Sequence, residues 1–76
     1  MAYVSALKLI REEKGISQAQ LAKRARVSLR SIQMMEQGHR DINKAQVLTV
    51  IQLAEALGCD IYDILNEREF VVHEDD

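Results

Sequence analysis

The chain has 76 residues, 47% of them hydrophobic, with three glycines and no proline, a composition typical of one compact helical domain rather than of a disordered chain. A single cysteine excludes an internal disulfide and a Cys-x-x-Cys metal site, and no apolar run approaches the roughly 20 residues that a membrane span needs. The formal net charge of −2 by itself argues against nucleic-acid binding.

The charges are divided unevenly along the chain. Residues 1–44 contain nine lysines and arginines and four carboxylates, whereas residues 45–76 contain one arginine and eight carboxylates. A phosphate surface responds to local charge rather than to the sum, so the basic half is a candidate surface for nucleic acid. The alternative is a merely solvated helical face.

The first helix is predicted over about Val4–Lys14, with Leu7 and Ile10 on its apolar stripe. Gly15 ends this helix, and Ile16 can fold back against it. The start of the chain is amphipathic and resembles neither a signal nor a transit peptide, so we expect a cytoplasmic protein.

The next stretch is predicted to form two short helices joined by a tight turn. Ser17 is an N-cap with Gln20 at the capping-box spacing, and the helix that follows spans about Gln18–Ala25. Ser28 is a second N-cap, and the helix that it begins ends at Gly38.

Small and apolar side chains suit a close crossing of these two helices. Ala22 leaves room for the second helix to approach, and Val27 and Ile32 can plug the corner between them. A small residue at the crossing, a plug in the turn and an exposed second helix are what a helix-turn-helix needs.

Two more helices are predicted after this motif. Asn43 is the expected cap of a fourth helix over about 44–57, which is apolar on more than one face and should be buried on most sides. Asp60 caps a short fifth helix over about 61–67. The predicted fold is all-α, a compact domain of five helices in residues 1–66, with the helix-turn-helix in helices 2 and 3.

Many residues match a known family at the correct spacings, in the stretches LKLIREEKGISQAQLA, VSLRSIQMMEQGHR and LAEALGCDIYDIL. Over about residues 5–65 the chain resembles the Xre/Cro (lambda-repressor-like) helix-turn-helix family of bacterial and phage transcription regulators. The resemblance implies sequence-specific binding of double-stranded DNA in the major groove by helix 3, with repression expected rather than activation. A homodimer on a roughly palindromic operator would supply the affinity that one half-site lacks.

Helix 3 supplies the expected base contacts. Arg30 lies in its first turn, where a guanidinium can bond to both O6 and N7 of guanine; the alternative is an exposed surface arginine. Leu29 and Met34 depart from the polar residues common in the family, which leaves contact with apolar base edges, a partner protein or, for Met34, the core as alternatives. The expected base-contacting residues are Ser28, Leu29, Arg30, Gln33 and Met34.

The expected phosphate contacts flank helix 3. The resemblance implies that Gln18 grips the DNA backbone from the N-terminus of helix 2. Arg26 occupies a turn position that is often Gly in the family because it tends to need a positive φ; either the backbone is strained there or it tolerates Arg. The expected phosphate-contacting residues are Gln18, Lys23, Arg26, Arg40 and Lys44.

Three residues have expected structural roles. The resemblance implies that Arg11 and Glu36 form a partly buried bidentate pair that fixes helix 3 against helix 1. Cys59, which follows the helix-ending Gly58, is expected to plug the core.

Residues 67–76, EREFVVHEDD, form an apolar and acidic tail that the resemblance does not explain. Three arrangements are open for it: packing on the body, a dimer contact or added strand, and disorder. The expected dimer surface consists of Ile61, Tyr62, Leu65, Phe70 and Val72.

The same scaffold could also serve a function other than DNA binding. An antitoxin or a protein-interaction adaptor on the same scaffold could use the tail to cover a basic partner protein. An enzyme is not expected, since the sequence has no Gly-rich phosphate loop, nucleophile elbow or HExxH motif. We expect no metal, no cofactor and no small-molecule ligand, because no histidine has a carboxylate or cysteine at ligand spacing.

Overall fold

The computed structural model describes residues 5–65 of the chain. Within this range there are five α-helices and no strand: α1 Ala6–Glu13, α2 Gln18–Ala25, α3 Leu29–Glu36, α4 Val47–Leu57 and α5 Ile61–Ile64. A 3-10 turn, Ile42–Lys44, lies between α3 and α4. The predicted all-α fold of five helices is confirmed, with α2 and α3 as the helix-turn-helix.

Serine side chains cap the N-termini of both helices of the motif. The hydroxyl of Ser17 accepts a hydrogen bond from the backbone N–H of Gln20 at 3.0 Å, and the backbone N–H of Ser17 donates to Oε1 of Gln20 at 2.9 Å. Ser28 caps α3 by accepting from the backbone N–H of Ser31 at 3.0 Å. Each cap pairs an N–H that a helix start would otherwise leave without a partner. The predicted capping box and both predicted starts are confirmed.

The first helix is shorter than its predicted span. Ser5 has an extended backbone, and its hydroxyl accepts from the backbone N–H of Lys8 at 2.9 Å, so α1 begins at Ala6. Val4, which was expected to belong to the helix, lies outside the described residues. At the other end Gly15 has φ +70°, which ends the helix as predicted.

The predicted start of the fourth helix is wrong. Asn43 does not cap it; Asp41 caps the 3-10 turn instead, its carboxylate accepting from the backbone N–H of Asn43 at 2.9 Å. Ala45 and Gln46 are then extended, and α4 begins at Val47. The interruption has a packing reason, since the 3-10 turn carries Ile42 into the core, where only 1% of it is exposed.

The fourth helix is also less buried than predicted. Its buried side chains form a single stripe at helical spacing, namely Val50, Leu53, Ala54 and Leu57. Val47 and Leu48, by contrast, are 72% and 64% exposed. A domain this small has no further helix in the described range to cover the first turn of α4.

The fifth helix is one turn long. Ile64 is fully buried, and the backbone becomes extended at Leu65, so the helix ends before the predicted limit near Glu67. Glu67 itself lies outside the described residues. Asp60 is at the N-cap position, and its backbone N–H donates to the carboxylate of Asp63 at 3.0 Å.

One core holds all five helices together. Helix α2 packs on α3 and α4, α5 packs on α1 and α4, and α1 reaches α3. The corner of the motif is filled as predicted, with Ile32 fully buried and Val27 half-buried against the core. The fully buried apolar residues are Leu7, Leu21, Ile32, Met35, Ile42, Leu53 and Ile64. Within residues 5–65 this packing leaves the start of α3 exposed on the side away from the core.

Candidate nucleic-acid interface

A buried ion pair holds α3 in place. Nε of Arg11 donates to Oε2 of Glu36 at 2.7 Å, and Nη2 of Arg11 donates to Oε1 at 3.1 Å, so the pair is bidentate. Nη1 of Arg11 donates to the backbone carbonyl of Ile16 at 2.8 Å. The expected pair between helix 1 and helix 3 is confirmed. The hydrogen bond to Glu36 raises the pKa of the Arg11 guanidinium above its ordinary value.

Gln18 completes this network from the first turn of α2. Its Nε2 donates to Oε1 of Glu36 at 2.9 Å, and the side chain is half-buried. The amide has a second N–H, which can serve another acceptor. Glu36 therefore fixes both the last turn of α3 and the side chain at the N-terminus of α2.

The outer face of α3 presents the residues that were expected to contact bases. Ser28, Leu29 and Arg30 are exposed at its start, with Leu29 39% exposed. Gln33 and Met34 follow one turn later and are half-buried. Arg30, Gln33 and Met34 are spaced at i, i+3 and i+4 and so lie on one face. The opposite face, with Ile32, Met35 and Glu36, is buried.

Arg40 is tied to the first turn of α3. Its Nη1 donates to Oγ of Ser31 at 2.9 Å, and the hydroxyl of Ser28 donates to the same oxygen at 2.9 Å. The guanidinium thus lies beside the N-terminus of α3, where the helix dipole repels a cation and attracts an anion. Ser31 was not among the expected residues, although a serine three residues after an N-cap serine faces the same helix end.

Three cations converge on a groove of about 500 Å³ beside α3, which is called the basic groove below. Arg26, Arg40 and Lys44 line it, and no carboxylate within residues 5–65 does. Polar residues that were not expected to contribute also line the groove, namely Ser31, Gln46, Thr49 and Gln52. Three cations without a carboxylate among them favour an anionic ligand.

Arg26 lies in the turn between α2 and α3. Its φ of +60° and ψ of +38° place it in the left-handed region, which a residue with a Cβ adopts only at a cost. The expected positive φ at this position is confirmed. The turn points Arg26 toward the basic groove.

Lys23 and the described residues of the predicted dimer surface do not line the basic groove. Lys23 is exposed on α2. Ile61 and Leu65 are half-buried, whereas Tyr62 is 67% exposed. Phe70 and Val72, the other two residues of the expected dimer surface, lie outside the described residues.

Cys59 is half-buried and packs against the core, as expected. Burial is the main reason why the pKa of its thiol is raised. Within residues 5–65 no group of His, Cys, Asp and Glu side chains could hold a metal ion. None of the described helices is long and apolar enough to cross a membrane.

A family model described as helix-turn-helix matches residues 7–64, which is more than half of the chain. The match includes all of α2 to α5 and all of α1 except its first residue. The comparison with curated proteins found no match.

Proposed function

Because the chain belongs to the Xre/Cro (lambda-repressor-like) helix-turn-helix family of DNA-binding regulators, we propose that α3 enters the major groove of double-stranded DNA and recognises a specific sequence there. One observation carries the proposal. Anchoring residues lie at both ends of α3, with Arg40 hydrogen-bonded to its first turn and Gln18 to its last. Phosphate contacts at these two points would hold the helix in a fixed register on the duplex.

Arg30 is the principal base-contacting residue in this proposal. It is exposed in the first turn of α3, on the same face as Gln33. A bidentate contact from its guanidinium to guanine would discriminate against other bases by about 1–3 kcal/mol. Ser28, Leu29 and Met34 complete the proposed base-contacting set, with the two apolar side chains contacting thymine methyl groups.

The phosphate contacts are assigned to cations around α3. Arg26, Arg40 and Lys44 line the basic groove, and Lys23 on α2 adds a more distant charge. Gln18 would use its second N–H and the N-terminus of α2. These contacts set affinity and register but carry no sequence information.

A second copy of the chain would supply a second half-site. We assign the dimer surface to Ile61, Tyr62 and Leu65, since Tyr62 is exposed and adjoins two half-buried apolar side chains. Light scattering with and without operator DNA should show a dimer on DNA, and a complex of one chain per duplex would contradict this assignment. Such a dimer would act in the cytoplasm as a repressor, by covering promoter DNA.

The test of DNA recognition is selection of binding sites from a random duplex library. A palindromic motif with half-sites about one helical turn apart is expected. Arg30→Ala should then flatten the preference at one position of each half-site. The matched control is Lys8→Ala on α1, which removes the same charge from a helix outside the interface and should leave the motif unchanged. Absence of any motif at low salt would overturn the proposal.

A protein-interaction function is the second candidate, as an antitoxin or an adaptor. The exposed apolar side chains of Leu29, Val47 and Leu48 favour it, because DNA-contacting surfaces are mostly polar and basic. The same selection experiment separates the two functions: a chain that selects no duplex but copurifies with one stoichiometric protein is an adaptor.

A further inference from the structure

An exposed apolar patch lies at the start of α4 and is defined by Val47, Leu48 and Ile51. The first two are 72% and 64% exposed, and Ile51 is half-buried one turn further along. Spacings of three and four residues place all three side chains on one side of the helix. Contiguous exposed apolar side chains on a small domain commonly mark a place where another segment binds.

The patch adjoins the basic groove. Lys44, Ala45 and Gln46 line the groove, and Val47 follows them directly in the chain. A segment that lies across this part of the molecule can therefore contact an apolar surface and a cationic one side by side.

The chain itself contains a segment with an apolar part and an acidic part next to each other. Residues 70–72 are Phe-Val-Val, and residues 74–76 are Glu-Asp-Asp. Residues 66–76 hold five carboxylates and one arginine, whereas residues 5–65 hold nine lysines and arginines and seven carboxylates. The two parts of the chain therefore have opposite net charge.

The segment also follows directly on a helix that packs against α4. The described part of the chain ends at Leu65, just after α5, and α5 packs against α4. Five residues from Leu65 to Phe70 can span at most about 17 Å, which limits how far from the end of α5 Phe70 can lie.

We propose that residues 70–76 bind to the body of their own chain, with Phe70 and Val72 on the apolar patch and Glu74, Asp75 and Asp76 among the cations of the basic groove. In that position the carboxylates occupy the place of DNA phosphates, so the segment weakens DNA binding. This regulatory consequence rests on the proposed function, whereas the intramolecular contact does not. Ile61, Tyr62 and Leu65 remain available for a second copy.

The contact is tested without DNA, by amide chemical shifts of the full chain in solution. Phe70→Ser should move the amide signals of Val47, Leu48 and Ile51. In the reciprocal experiment, Leu48→Gln on the exposed patch should move the amide signals of Phe70 and Val72. If the amide signals of the patch do not respond to Phe70→Ser, the proposal is overturned.

The contact between the carboxylates of residues 74–76 and the basic groove is tested by two double variants that change the net charge by the same amount. Asp75→Asn/Asp76→Asn should shift the amides of Lys44 and Gln46, and added salt should mimic the effect. The control Glu12→Gln/Glu13→Gln, on α1, should leave these amides unchanged. Shifts that disappear on dilution would mean that the segment of a second copy binds there, and would overturn the intramolecular proposal.

DNA binding gives the independent readout. At low salt Asp75→Asn/Asp76→Asn should raise the affinity for a duplex by about threefold or more, as expected for the loss of two competing exposed ion pairs. The control double variant should raise it less. An equal rise in both would show that net charge alone acts, and would overturn the regulatory claim. If no variant binds DNA while the patch amides still respond, the proposed function fails and the intramolecular contact stands.

Discussion

Arg26 combines a strained backbone with a charge at the basic groove. Its φ of +60° is the only positive φ of a non-glycine residue in the described part of the chain. Left-handed backbone costs a residue with a Cβ about 1–2 kcal/mol, whereas Gly adopts it freely. Gly also gains entropy in the unfolded chain, which offsets roughly half of that benefit.

We therefore expect Arg26→Gly to stabilise the fold by about 0.5–1 kcal/mol and to raise the thermal midpoint by a few degrees. Calorimetry checks this. The control Arg26→Ala removes the same charge but keeps the Cβ, so its midpoint should not rise. A lower midpoint for the Gly variant would count against strain at this position.

Cys59 offers a pH-dependent measure of core packing. Burial raises the pKa of its thiol above the ordinary value of 9.0, because the charged thiolate is disfavoured inside the fold. At pH 9 alkylation by iodoacetamide should be slower in the folded chain than in urea.

The raised pKa of Cys59 also makes the stability of the fold depend on pH. The unfolded thiol loses its proton at lower pH than the folded one, so Cys59 contributes stability below pH 9.0 that is lost as the pH rises further. Cys59→Ala should lack this part of the decline in alkaline solution. Equal alkylation rates for folded and unfolded chain would show that the thiol is not protected.

At the scale of elements, three helices depend on one carboxylate. Glu36 at the end of α3 accepts from Arg11 of α1 and from Gln18 of α2. Removing Arg11 leaves the carboxylate buried with one remaining side-chain donor among its described hydrogen bonds, and breaking a buried pair in this way typically costs about 3–5 kcal/mol. Small domains have only about 5–15 kcal/mol of stability in total.

Arg11→Met should therefore bring the protein close to unfolding in urea titrations, whereas Arg11→Met/Glu36→Leu should recover much of the loss by removing both charges. Lys8→Met, on the exposed side of the same helix, is the control and should be nearly neutral. If the double variant is no more stable than Arg11→Met, the loss comes from packing rather than from the stranded charge.

Local signals in the sequence were sufficient to predict the helix-turn-helix. The caps at Ser17 and Ser28 act within three residues, so the bounds of α2 and α3 could be predicted from sequence. The start of α4 could not, because it depends on the burial of Ile42, a contact between parts of the chain that no local pattern reveals. For the same reason the apolar run of α4 predicted more burial than the fold provides at Val47.

The candidate interface, too, could be predicted from the sequence only in part. The outer face of α3 followed from helical periodicity, and the cations around it could be named from the sequence. The hydrogen bond from Arg40 to Ser31 and the gathering of Arg26, Arg40 and Lys44 around one groove could not, since they arise where the turn, α3 and the 3-10 segment meet in space.

At the scale of the whole molecule, net charge is a poor guide to the surface. The chain carries −2 overall, yet the basic groove presents three cations with no described carboxylate on its wall. Because the Debye length is about 8 Å at physiological salt, a phosphate at the groove responds to these cations and much less to distant acids. An acidic protein can therefore bind DNA with the salt dependence of a basic one.

A single lysine at the basic groove should therefore affect the salt dependence of DNA binding more than a lysine elsewhere. Lys44→Gln should reduce the log–log slope of affinity against salt concentration by about 0.9, the contribution of one neutralised phosphate. Lys14→Gln makes the same change of net charge at the C-cap of α1 and should leave the slope unchanged. Titrations of both variants on one duplex provide the measurement. If the two lysines lowered the slope equally, the overall charge rather than the basic groove would govern binding.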